Sequence, residues 1–80
     1  MKARVTVTLK QGVLDPQGKA IEGALSSLGF GGVANVRQGK VFDIETSETD
    51  KAKAESALKA MAEKLLANTV IEKYEIAVLG

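Results

Sequence analysis

The pair Asp15-Pro16, five residues past a clean alternating segment, fixes where this 80-residue chain must turn from sheet to helix. Before it, Ala3, Val5, Val7 and Leu9 alternate with Arg4, Thr6, Thr8 and Lys10, the period of a half-buried strand. Aspartate is a strong N-cap, and proline suits the first helical position, where its missing N–H costs nothing and its φ is already helical. Ile21, Ala24, Leu25 and Leu28 then recur at i, i+3, i+4 and i+7, one apolar stripe. Gly29 is placed for a left-handed C′ residue, with Phe30 able to reach back to Leu25 as in a Schellman ending. Val13 and Leu14, ahead of the cap, are candidates for a hydrophobic staple or for docking onto another subunit.

The rest of the chain extends this start into a mixed fold. Val33 to Thr46 has strand character with Gln38-Gly39 near its centre, which predicts a hairpin of two strand segments. A tight turn there pairs Val36 with Val41 and Asn35 with Phe42, on opposite faces; a bulge at Gly39 or one long bent strand are the alternatives. A second helix is expected to start near 47–50, with Ser47 and Thr49 as possible caps. Ala54, Ala57, Leu58, Met61, Ala62 and Leu65 form its apolar face. Lys51/Glu55, Glu55/Lys59 and Lys59/Glu63 are spaced to pair on its outside. A last strand covers roughly 72–79. The order β-α-β-β-α-β predicts one α+β domain over residues 1–80, a ferredoxin-like two-layer sandwich whose antiparallel sheet carries two helices on one face. The bare sheet face, with Arg4, Thr6, Thr8, Ala77, Leu79 and either Val36/Val41 or Phe42/Ile44, is the surface expected to receive another subunit.

Composition narrows function by exclusion. Cysteine is absent, which removes disulfides, thiolate metal sites and thiol catalysis; histidine is absent, which removes the usual neutral-pH base. Eleven basic and ten acidic residues leave a net charge of +1, a poor footprint for a nucleic-acid binder. Residues 1–40 carry six positive and two negative charges and residues 41–80 five and eight, so +4 stands against −3. No apolar run approaches the ~20 residues of a membrane span, and the N-terminus enters a strand without a signal core. A cytoplasmic protein without nucleic-acid or membrane partners is expected. A domain this small has a stability of only ~5 kcal/mol, so association matters energetically.

Each chemical motif has a plainer reading. Ser26, Ser27, Ser47 and Ser56 lack a histidine to activate them and suit helix surfaces or caps. Asp43 with Glu45, or Glu48 with Asp50, offers two carboxylates but no calcium-loop or zinc spacing. Gly29-Phe30-Gly31-Gly32 leaves a helix rather than entering one, so it ends that helix instead of cradling phosphate. Phe30, Phe42 and Tyr74 are too few and scattered for a base-stacking sheet. Arg37 and Lys40 flank the Gln38-Gly39 turn, where a solubilising role is the simpler one.

Five blocks carry a resemblance: Leu9 through Gly18, Ala20-Ile21, Leu28-Gly29-Phe30, Val36 through Lys40, and Ala67 through Glu72. In these, along essentially its whole length, the chain resembles the PurS family, the small subunit of phosphoribosylformylglycinamidine synthase. The first block is specific, the later ones fall in the right order, and no departure from the family pattern stands out. The resemblance implies a non-catalytic assembly role in purine biosynthesis. It implies two partners, a large synthetase subunit that uses ATP and magnesium and a glutaminase subunit that releases ammonia through a catalytic cysteine. It also implies self-association as a homodimer or homotetramer, and help with ammonia transfer. No catalytic residue, cofactor or metal is carried over to this chain. Lys10, Val13, Leu14, Asp15, Gln17, Arg37 and Lys40 are the expected partner contacts. A regulatory domain binding a small molecule at a dimer interface is the alternative on a related scaffold.

Overall fold

The computed structural model describes residues 1–80. Strand β1 (Lys2–Leu9) leads to helix α1 (Pro16–Ser27), strand β2 (Gly39–Glu45), helix α2 (Lys51–Met61) with a π-helical extension over Ala62–Leu66, and strand β3 (Glu72–Val78). The sheet is antiparallel in the order β2-β1-β3, so the first strand is central. Val5 faces Phe42 on one side and Ile76 on the other, and Ala3 faces Ile44 and Val78. This register settles which side of β2 is inward. Phe42 and Ile44 share the core face with Val5, while Val41 lies on the opposite face and is exposed.

The α+β ferredoxin-like class holds, with three strands rather than four. No hairpin forms: residues 33–38 belong to no strand, and β2 begins only at Gly39. Pairing with the central strand supplied β2 with hydrogen bonds that a Gln38-Gly39 turn would have sought locally. Asp50, not Ser47 or Thr49, caps α2, its Oδ1 accepting from the amides of Ala52 (2.9 Å) and Lys53 (3.3 Å). None of the i,i+4 charge pairs anticipated on α2 closes to an ion pair; Lys19 and Glu22 on α1 do so at 3.4 Å.

The core is small. Ala3, Val5, Val7, Leu58, Ala62 and Ala67 form it, with Phe42, Ile44, Leu66, Tyr74, Ile76 and Val78 packed around them. Helix α2 covers the β3 side of the sheet and contributes Ala54, Leu58 and Ala62. At Ala62 the hydrogen bonding slips to i→i+5, the Ala67 amide donating to the Ala62 carbonyl at 2.9 Å. The wider turn changes the helix phase, so Leu66 is half-buried and Leu65, expected inside, is 84% exposed.

Helix α1 has the ends its sequence predicts. Asp15 caps it, Pro16 follows, and Gly29 closes it at φ +98° with the Phe30 amide bonded to the Leu25 carbonyl at 3.0 Å. Its placement is different. Only α2 packs on the sheet; α1 runs out from the end of the sheet, stretching the molecule to 48 × 26 × 14 Å. Its stripe therefore meets no core of its own chain. Leu28 is 73% and Phe30 57% exposed, Ile21 is exposed, and Leu25 is half-buried.

Candidate functional site

The segment entering α1 and the segment entering β2 converge in a notch beside the end of the sheet. Asp15 is its centre, 5% exposed and held by two backbone amides. Oδ1 accepts from the Gly18 amide at 2.9 Å, which starts the helix, and Oδ2 accepts from the Gln38 amide at 2.7 Å. The approach is close because Gly18 lacks a side chain: a Cβ there would overlap the Val36 carbonyl and the Asp15 carboxylate. The Gln38 amide holds the Asp15 carboxyl below the ordinary carboxylate value, helped by the Gly18 amide and the Arg37 charge and opposed by desolvation.

Most of the predicted contact residues gather here. The Arg37 guanidinium donates to the Lys10 carbonyl at 3.2 Å. Gln17 and Lys40 line the same open cavity as Asp15, about 210 Å³ in volume, with Glu72 across from them. Lys40 Nζ lies 3.8 Å from Glu72 Oε2, and Glu72 Oε1 accepts from the Asn68 amide at 2.7 Å. Lys10, Gln17, Arg37 and Lys40 are exposed at the rim, whereas Asp15 is internal. Val13 is half-buried. Leu14 is 69% exposed and staples nothing, since the helical position it would meet is Lys19.

Sequence reading missed the Asp15–Gln38 link. Its available signal was Gly18 in the first turn of a helix, a residue costly there unless something must come close. The bare sheet face, expected to receive another subunit, mixes charge and apolar area. That face is charge-paired: Arg4 Nε meets Asp43 Oδ1 at 2.8 Å across β1 and β2, and Lys2 stands 4.0 Å from Glu45. Uncovered apolar area lies on that face too, at Val41 and Leu79, as well as on α1 and beside Phe42 and Ile44, on the side of the sheet α2 leaves open.

The chemistry available is recognition. A carboxylate with both oxygens engaged and its proton affinity lowered is a poor general base at neutral pH. Ser27 Oγ donates to the Gly23 carbonyl at 3.1 Å inside α1, and no group of three acidic side chains converges to hold a metal. Asp43 and Glu45, the pair weighed as ligands, face the cations of β1 instead. No helix is long and apolar enough to cross a membrane. A sheet module with a charged notch and a projecting apolar helix is a docking subunit by construction.

Known proteins agree with that class. The family model described as PurS, phosphoribosylformylglycinamidine (FGAM) synthase, matches residues 2–80. The phosphoribosylformylglycinamidine synthase subunit PurS of Mycobacterium leprae is 51% identical over 94% of this chain and 91% of its own length. That of Bacillus subtilis is 46% identical over 96% and 90%. Among solved structures, B. subtilis PurS superposes with a TM-score of 0.89 at 44% identity, over 99% of this chain and 98% of that one. A chain of the PurLQS structure from Thermotoga maritima gives 0.89 at 35% identity, over 98% and 95%. The chain belongs to the PurS family.

Proposed function

We propose that the chain is a non-catalytic accessory subunit of phosphoribosylformylglycinamidine synthase, bridging a glutaminase subunit and an ATP-dependent synthetase subunit in purine biosynthesis. The observation that carries this is its match, along 98% of its length, to a chain of the PurLQS structure. Its composition supports the same reading, since a chain without cysteine cannot supply a glutaminase thiolate. ATP and magnesium belong to the synthetase partner. Ammonia released from glutamine must arrive unprotonated and without escaping to solvent, and a subunit that fixes the geometry of its two partners serves that transfer without doing chemistry.

Self-association follows from the same surfaces. Helix α1 carries an apolar stripe that its own sheet does not cover, and the sheet leaves Phe42 and Ile44 half-buried. A second copy is the occupant that accounts for both, because each copy offers a bare helix and a bare half-sheet. The notch rim of Lys10, Gln17, Arg37 and Lys40, with Val13 and Leu14 beside it, remains available to the larger partners.

The test is reconstitution. Synthetase and glutaminase subunits mixed with this chain should show glutamine-dependent synthase activity that falls when the chain is omitted, while activity on added ammonia persists. Alanine at both Arg37 and Lys40 should weaken recovery of the complex and leave the melting temperature nearly unchanged, since exposed charges add little to folding. Equal glutamine-dependent activity with and without the chain would refute the subunit role. A melting temperature that rises with a small ligand on the isolated chain would favour the regulatory alternative.

A further inference from the structure

We propose that Asp15 is the clasp that sets the angle of the α1 arm relative to the sheet, with its two carboxylate oxygens carrying separable duties. The arm is the excursion from Asp15 to Gln38, comprising α1 and the segment that returns along it. It closes on itself in two places. The Asn35 amide, on a residue at φ +58°, donates to Glu22 Oε1 at 3.3 Å, and the Val36 carbonyl lies over Gly18. Where the arm meets the sheet, Gly39 begins β2 directly after Gln38. Gripping the Gln38 amide therefore ties the first turn of α1 to the residue that leads directly into a paired strand.

Little else holds the arm in place. No strand or helix packs along α1 to any extent, and the remaining polar link at its base is the exposed contact of Arg37 with the Lys10 carbonyl. Oδ1 spends its bond inside the helix on Gly18, and Oδ2 spends its bond across the base on Gln38, 23 residues away. One oxygen starts the helix; the other aims it. A pre-aimed apolar arm loses less freedom on association, which favours a single docking geometry. This last step rests on the subunit role proposed above; the clasp itself does not.

The absence of cysteine allows the angle to be measured by spin labels on Ser26→Cys in α1 and Glu75→Cys on the open face of β3. Doubly labelled chains diluted into unlabelled copies report the distance within one chain by pulsed electron resonance. The intact clasp should give one narrow distance. Asp15→Ser keeps a good N-cap but is too short to reach Gln38. It should broaden or shift that distance while helical circular dichroism stays unchanged. Asp15→Asn, of the original size, presents one acceptor and one donor to two amides, and should do the same if the serine variant proves unstable. An unchanged narrow distance in a folded variant overturns the clasp. Loss of fold in both variants overturns the separation of duties. Sedimentation of the same samples reads association on its own, so failure of the subunit reading leaves the distance result standing.

Discussion

Gly18 lies directly beneath the carbonyl of Val36, so close that no other residue fits between them. The return segment of the arm thus crosses the first turn of α1 at the one position without a side chain. Backbone lies against backbone there, closing the arm on itself without any apolar core.

This contact reverses the usual effect of replacing glycine in a helix. Alanine is favoured over glycine by about 1 kcal/mol in a free helix. At Gly18 the added methyl would meet a carbonyl and a carboxylate, and overpacking of that kind costs about 1–3 kcal/mol. Gly18→Ala should therefore lower the urea midpoint. Gly23, on the same helix with nothing within 4 Å of its would-be Cβ, should give the opposite sign, a gain of about 0.5–1 kcal/mol. Matching signs at the two positions would refute the close approach.

The exposed stripe and the core should separate in mutagenesis. Burying a leucine is worth about 1.5–3 kcal/mol, and 1.4 kcal/mol is tenfold in affinity, so Leu28→Asp should weaken self-association by at least about tenfold. Far-ultraviolet circular dichroism should be retained. Leu58, fully buried, behaves otherwise: Leu58→Ala should cost about 2–5 kcal/mol, a large share of the stability of a domain this small, and lower its melting temperature sharply. Sedimentation velocity and thermal melts read the two effects independently.

Acid should act through two aspartates. The Arg4 hydrogen bond holds the Asp43 carboxyl below its ordinary value, as the Gln38 amide does for Asp15. The unfolded chain regains carboxyls titrating near about 3.9. Below that value it binds more protons than the folded chain, so stability falls as pH drops through the folded pKa values and is complete above about pH 5. Arg4→Gln should flatten part of this acid slope in denaturation series. Asp15→Ser should flatten another part.

The two ends of α1, the central strand and the last strand were legible in the sequence because local chemistry fixes each: a cap, a proline, a glycine, an alternation. Three features were not. Periodicity tells which face of α1 is apolar but not whose core that face enters, so the arm reads like an ordinary packed helix. The inward side of β2 depends on pairing with Val5, a partner 37 positions away. And a carboxylate acting as an N-cap shows one oxygen at work in the sequence, while the second finds Gln38 only in three dimensions. The candidate site divides the same way. Its rim cations were singled out only through the family resemblance, since their spacing alone favoured a solubilising role, and the link beneath them was not visible at all.

The π turn at Ala62–Leu66 has a consequence for chain length. It holds one residue more than a regular helix needs, and Leu65 is its apolar residue facing outward, beside the exposed Glu63 and Lys64. Excising Leu65 would bring Leu66 and Ala67 to three and four places after Ala62, where an ordinary helix also turns them inward. The stretch before β3 thus works like a spare link. A deletion there can be absorbed as a change of helix type, leaving the strand that follows in register.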